Sequence, residues 1–376
     1  MKQVTKLSFD NLLQDVVNNN LCNKCGGCVS FCSANDINAL KTDSDGLPCY
    51  ADKDKCLEDG ICYLICPKTP ELEEEVKNKH NWKYPIGSWV DAFSARSTDD
   101  DILEVATDGG VVSSLLLYML DNKIIDGAVV SKRADNCGRL PMIARNKTEL
   151  IDAAGSFFSE AAHLDAVGKI YSSLFPIIKV IKESASKNMK RLALIGTPCQ
   201  IKAIRKMQLI NIVPSDMIIF TIGLFCMQCF TLEDLISQNF ALNYNINIDD
   251  IKKVNIKDKL ILQMKSGISM HIPLDEIAKI TRPACISCSD FANDLADISV
   301  GGVGSDEGYT TVIIRNTLGK TIYSDALYHG YIENLHENHN RDRTQTSARL
   351  ISKISDIAIK KKQRAEQRLK QNNIKA

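Results

Sequence analysis

The sequence predicts an α/β fold in two unequal parts, a small cysteine-rich domain followed by a larger layer of alternating strands and helices. Three observations carry this reading. Eight of the 14 cysteines fall within the first 66 of 376 residues. A charged, cysteine-free stretch, TPELEEEVKNKHNWK, follows them as a linker. From about Trp89 onward, short apolar runs alternate with helical ones. The expected boundaries are 1–80 for the cysteine-rich domain, 81–345 for the α/β domain, and 346–376 for a basic helix or tail.

In the first domain, Cys22, Cys25, Cys28 and Cys32 in LCNKCGGCVSFCS follow C-x2-C-x2-C-x3-C. Soft thiolates at this spacing suit a 4Fe-4S cluster. A second run, KCLEDGICYLICPK, supplies Cys56, Cys62, Cys66 and Pro67 in the same pattern, with Asp59 where the second cysteine belongs. Where two such runs fold together, the fourth cysteine of each crosses over. Cys66 is then expected to complete the site of Cys22, Cys25 and Cys28, and Cys32 that of Cys56 and Cys62. The domain is accordingly expected to be ferredoxin-like with two clusters. A zinc ribbon is the competing use of such cysteines, but it is built from two C-x2-C pairs. Ser33 departs from the proline often found after the last cysteine. Asp59 admits three readings. It ligates iron as a harder, more labile donor, giving a site that cycles between three-iron and four-iron forms; Cys49 replaces it; or it is an exposed turn residue beside a 3Fe-4S cluster.

In the second domain SWVDAFSARS, DGAVVSKR, RLALIG, DMIIFTIGLF, ADISVGG and YTTVIIRN read as strands, and VVSSLLLYMLDN, LFPIIKVIKESA and QIKAIRKM as helices. The stretch at about 245–280 reads as an inserted hairpin. Gly109 and Gly110 follow Thr107 and Asp108 and open the VVSSLLLYML helix. Free amides there suit an anion such as a cofactor phosphate, while the plainer reading makes Thr107 or Asp108 an ordinary N-cap. Thr197 and Gln200 flank Cys199 in a strand-to-helix turn. Cys229 lies in C-x2-C spacing with Cys226 and could replace a ligand, but lone cysteines more often pack as small hydrophobes, which is its reading; Cys137 reads as a surface turn. His329, His336 and His339 lie in a polar segment and receive no catalytic role. The tail from Ile359 carries seven Lys or Arg against one Glu, which reads as a solvated helix face with partner docking as the alternative.

Lys plus Arg and Asp plus Glu both number 46, so no global field recruits nucleic acid or an anionic membrane. No apolar run reaches the roughly 18 residues of a membrane span, and the polar start MKQVTKLSFDN lacks a signal-peptide core. The expected location is the cytoplasm, where so many cysteines favour metal ligation over disulfides.

GTPCQIKAIRK, IGLFCMQCF and RPACISCSDFANDLADISVGG, together with DGGVVSSLLLYML and VGSDEGYTTVIIRN, resemble the coenzyme F420 hydrogenase/dehydrogenase beta-subunit family over nearly the whole chain. That family includes hydroxymethyl-chlorophyll reductases and electron-input subunits of deazaflavin-oxidising complexes, and its members bind FAD and iron-sulfur clusters. The resemblance implies an α+β catalytic domain and a third, central 4Fe-4S cluster on Cys199, Cys226, Cys285 and Cys288. It also implies FAD contacts from Thr107, Asp108, Gly109, Gly110, Thr197 and Gln200. Coenzyme F420 is the implied hydride donor, and no G-x-G-x-x-G after a strand speaks for a nicotinamide. FAD would convert hydride into single electrons for the clusters and a redox partner protein. No acid-base residue is expected. The alternatives are a ferredoxin-dependent FAD reductase of an organic substrate and a flavin-free electron-transfer protein.

Overall fold

A computed structural model describes residues 7–133, 139–155, 189–212, 215–229, 244, 246–247, 250–256, 259–278, 281–335 and 343–371. Its centre is an eight-stranded mixed sheet built from β3 (Asp91–Ser97), β4 (Gly127–Arg133), β5 (Arg139–Ala144), β6 (Leu192–Gly196), β7 (Ile218–Leu224), β11 (Ile298–Gly301), β12 (Thr310–Ile314) and β13 (Ile332–Asn334). The spatial order is β13-β3-β12-β11-β7-β6-β4-β5. β4, β6, β7 and β11 run parallel, β12 lies antiparallel between β11 and β3, and β5 and β13 are antiparallel edges. All six strands expected from the sequence are present. The sheet is covered on both faces, which is why β12 (TTVII) is buried at every position and shows no exposed alternate residues.

Side-chain alternation divides the core between the two faces. Ala193, Phe220 and Ile222 face the Val111–Asp121 and Thr317–Tyr328 helices, where Leu115, Met119 and Ile322 are buried and Tyr323 stacks on Phe93 at 4.7 Å. Leu192, Leu194 and Ile218 face the other way, onto Ile201, Ile204 and Met207 of the Pro198–Leu209 helix. The expected helix at 174–185 lies outside the described residues, as do Cys137, His336 and His339. In place of the expected hairpin, β8 (Ile251–Ile256), β9 (Lys259–Met264) and β10 (Ser269–Pro273) form a three-stranded antiparallel meander with its own small core. The third strand, SMHIP, has too little apolar alternation to announce itself.

The N-terminal region packs its own core from Phe9, Leu12, Val16, Leu21 and Tyr63, over a short antiparallel pair, β1 (Leu40–Thr42) and β2 (Pro48–Tyr50). Phe31, Ile65 and Val76 join it to the Pro198–Leu209 helix. Polar contacts reinforce this seam. Glu73 of the Glu73–Lys79 helix pairs with Lys202 at 2.6 Å and with Lys77 at 2.7 Å. Burial pushes the Glu73 carboxyl up, but the two lysines outweigh it and bring it from 4.5 to about 2. A depressed carboxyl contributes stability above its unfolded value and loses it as pH falls through the folded one. Unfolding stability is therefore expected to drop between pH 4.5 and about 2, by about 1–2 kcal/mol after allowance for solvent screening. Denaturant titrations of Glu73→Gln should lack this component; an unchanged pH profile would show that the pair contributes nothing.

The basic tail is one long helix, Arg343–Gln371. It is not solvated all round: Thr346, Leu350, Ile354, Ala358, Lys361 and Ala365 form a buried stripe. Its first half packs on Ala92 and Ile313 of the sheet, and Leu369 reaches the N-terminal core.

Candidate functional site: three cysteine groups and the carboxyl edge of the sheet

Each N-terminal run turns on a glycine. Gly26 (φ 68°) caps the Gly27–Ala34 helix, and Gly60 (φ 71°) caps the Ile61–Leu64 helix. Only glycine adopts this left-handed geometry readily, and a Cβ on Gly60 would fall 2.8 Å from the Leu7 carbonyl oxygen. Cys25-Gly26-Gly27-Cys28 and Asp59-Gly60-Ile61-Cys62 are thus the same turn used twice. Cys22, Cys25, Cys28 and Cys66 line one cavity, closed on its apolar side by Leu12, Val16 and Ile65. Burial pushes the Cys22 thiol up to about 11, with Cys66 adding to the push. Burial likewise holds Cys25 and Cys28 well above the usual thiol value, and their neighbours in the group add to it.

The other four positions stand together as well. Cys32 is raised by burial and by Cys56 and Asp59, and its sulfur accepts the Ala39 N-H at 3.2 Å. Cys62 is pushed up to about 12 by burial, then by Asp59, Cys56 and Cys32. Asp59 is exposed, and its Oδ1 accepts the Ile61 N-H at 3.0 Å. Cys49 sits on β2, where the charges acting on it are Asp43 and Lys41.

The third group gathers at the carboxyl ends of parallel strands. Cys199 opens the helix after β6, Cys226 follows β7, and Cys285 and Cys288 flank the end of the Pro283–Ile286 helix. Burial pushes Cys199 up to about 11, against hydrogen bonds from Thr197 and Asn23, and Cys226 and Cys288 raise it further. Cys229 is no lone hydrophobe. Its thiol bonds with those of Cys226 and Cys285, and its N-H donates to the Cys285 sulfur at 3.4 Å. Cys285 is drawn down to about 6, first by Cys229. Arg282 donates to Asn23 O, and Lys68 to Ala284 O and Ser287 O, so the loops of the first and third groups adjoin. Among the described residues, no three His, Cys, Asp or Glu side chains converge on a single-ion position.

Sequence reasoning missed the buried cations that pin these loops. Lys206, fully buried, donates to the carbonyl oxygens of Cys66 (2.6 Å) and Thr69 (2.8 Å). Lys68 reaches Ala284 O (2.9 Å) and Ser287 O (3.3 Å), and Arg282 Nη1 reaches Asn23 O (2.9 Å). Their acceptors are backbone atoms, which leave no trace in a residue pattern. Asn293 (φ 59°) is another such stitch, donating from Nδ2 to Gly196 O (2.9 Å) and Leu224 O (3.2 Å) at the ends of β6 and β7.

The remaining predicted contacts lie on the same edge. Gly110 (φ 71°), not Thr107 or Asp108, is the N-cap of the Val111–Asp121 helix, which has no side-chain cap. The Gly109 N-H donates to Thr310 Oγ1 at 2.9 Å, and a Cβ there would meet the Ala95 carbonyl oxygen at 2.6 Å. Asp108 presses its carboxylate over Gly302 at the end of β11, where a Cβ would fall 2.5 Å from either oxygen. Asn255 of the meander donates to Asp108 Oδ1 at 3.2 Å and to Thr107 O at 3.5 Å. Thr197 and Gln200 form a capping box, with the Thr197 N-H donating to Gln200 Oε1 at 2.7 Å. In an open α/β sheet, ligands bind beyond the carboxyl ends of parallel strands, the edge where these residues and Cys199 meet.

Two family models match in succession, those for the N-terminal and C-terminal parts of the coenzyme F420 hydrogenase/dehydrogenase beta subunit, the first over 92–182 and the second over 189–339. A coenzyme F420 hydrogenase subunit beta from Methanosarcina barkeri is 34% identical over 255 residues, 66% of this chain and 82% of that protein. The chain belongs to the coenzyme F420 hydrogenase/dehydrogenase beta-subunit family. The F420-reducing NiFe hydrogenase complex from Methanosarcina barkeri contains a chain of related fold, with TM-score 0.66 and 28% identity over 77% of this chain and 94% of that one. A coenzyme F420-dependent sulfite reductase from Methanocaldococcus jannaschii is 27% identical across 96% of this chain, which spans 52% of that protein's length. Named family members thus belong to F420-dependent oxidoreductases, and no described helix is long and apolar enough to cross a membrane.

Proposed function

We propose that this chain takes hydride from reduced coenzyme F420 onto FAD and passes the electrons singly through 4Fe-4S clusters to a redox partner protein. The observation that carries the reading is the continuity of the cysteine groups: Arg282 and Lys68 tie the loops of Cys285 and Cys288 to those of Cys22 and Cys66, and Cys22, Cys25, Cys28 and Cys66 share one cavity. The donor set fits the clusters: thiols not joined in disulfides, in groups of four, or of three with Asp59, on loops fixed by glycine turns and by cations that hold their carbonyls. The edge of the sheet fits a flavin at an uncapped helix N-terminus and at Asn293, whose buried Oδ1 has no hydrogen-bond partner. Bound FAD would convert two-electron hydride into one-electron steps, which the clusters carry.

The chain's own residues supply placement. Asp108, being anionic, suits a ligand hydroxyl better than a phosphate, whereas the amides beyond Gly110 suit an anionic group. Asn23 hydrogen-bonds Cys199 and is held by Arg282, which fixes the join between the first and third groups. Cys32, Cys56, Asp59 and Cys62 form a group that reaches solvent at the exposed Asp59, where a partner would collect electrons.

Anaerobic analysis is expected to find about twelve irons and as much sulfide per chain if all three sites hold cubanes. The FAD-loaded protein should reduce a one-electron dye with reduced F420 far faster than with NADH or NADPH. Rapid flavin reduction by NADPH with none by reduced F420 would refute the donor, and a spectrum without flavin bands would leave an electron-transfer protein only.

A further inference from the structure

Two basic side chains one turn apart on the Arg343–Gln371 helix close over the loops bearing three of the four central cysteines. Lys361, 2% exposed, donates from Nζ to the carbonyl oxygens of Cys226 (2.6 Å) and Asp290 (2.7 Å). Arg364 donates from Nη2 to Cys285 O (3.2 Å) and Met227 O (3.4 Å), and from Nη1 to Gln228 Oε1 (3.2 Å). Both Lys361 acceptors are backbone carbonyls of the cysteine loops; the Asp290 carboxylate is engaged by the Asn293 and Asp294 N-H groups, and its charge acts on Lys361 behind those of Cys288 and Cys226. A neutral donor would satisfy those carbonyls equally well. A buried ammonium is costly unless negative groups offset it, and a cluster held by four thiolates would be the larger such group beside Asp290.

We infer that Lys361 is a positioning residue that raises the reduction potential of the central cluster by fixing a positive charge against the Cys226 and Cys288 loops. This rests on the reading of Cys199, Cys226, Cys285 and Cys288 as that cluster's ligands. Adding an electron makes the cluster more negative, so a nearby fixed cation stabilises the reduced form more than the oxidised one. Burial keeps the effect from being screened by salt. The helix that looked like a free basic tail in the sequence is thereby part of the electron path's electrostatics.

The test compares full-length wild type, Lys361→Arg, Lys361→Gln and Lys361→Met, purified anaerobically, by iron content and redox titrations followed by electron paramagnetic resonance. Lys361→Gln keeps a donor and removes the charge. The expected result is a central-cluster potential shifted lower in the Gln and Met variants, near wild type in the Arg variant, with the two N-terminal clusters unmoved. An unshifted central potential in Lys361→Gln with full iron overturns the inference. So does loss of the central cluster from both neutral variants, which would make Lys361 a structural clamp. A wild type with only about eight irons per chain overturns the ligand reading itself, and is distinguishable because no central signal would exist to titrate.

Discussion

Replacing Cys199 by alanine is expected to abolish the central cluster and cut dye reduction through the relay, while reduced F420 still bleaches the flavin. Changes to groups that merely orient metal ligands typically cost about 10–100-fold in metal affinity or activity, so loss of a ligand should exceed that range. Cys199 is the position where the loss is cleanest. It is the second residue of the Pro198–Leu209 helix, behind a capping box that does not use its sulfur to hold the helix. The core beneath, Leu194 and Ile201, lies on other side chains. Burial and then Cys226 and Cys288 raise the Cys199 thiol, so removing it opens the third group. Iron content should fall by about four per chain with the fold retained by circular dichroism. A variant with undiminished iron and a wild-type dye rate would remove Cys199 from the relay and leave Cys229, held against Cys226 and Cys285, as the candidate fourth ligand.

The fold was legible where burial imposes a simple pattern. β6, β7 and β12 sit between two helical layers, so their sequences are short apolar runs bounded by turns. The C-terminal helix was harder, because its buried stripe includes Lys361, and a lysine is counted as solvated whenever its partners are unseen. Cysteine spacing anticipated that Cys22, Cys25, Cys28 and Cys66 would share one cavity. The flavin side was less legible. Gly109 and Gly110 look alike in sequence, yet one has its amide engaged by Thr310 and only the other caps the helix. Gln200 looks free to reach a ligand, yet its Oε1 accepts the Thr197 N-H.

Asp59 is expected to decide the character of the second group, and three substitutions should separate its two uses. Asp59→Cys is expected to give a four-iron cluster that resists oxidation better, with a changed potential, since thiolate binds iron more tightly than the harder carboxylate. The turn is already built for it, for Asp59 precedes Gly60 as Cys25 precedes Gly26. Asp59→Ala should leave a three-iron site. That variant also deletes the hydrogen bond from the Ile61 N-H to Oδ1, a cap worth roughly 1 kcal/mol, so its result alone would mix ligation with local folding. Asp59→Asn resolves this, because the amide oxygen can still accept the Ile61 N-H while making a far poorer ligand than a carboxylate. If Asp59 holds iron, the Asn variant should match alanine in its three-iron resonance signal and match wild type in thermal stability. A four-iron signal and potential untouched in both the Asn and Ala variants would make Asp59 a helix cap only, with the fourth corner held by an exogenous ligand or, after a shift of β2, by Cys49.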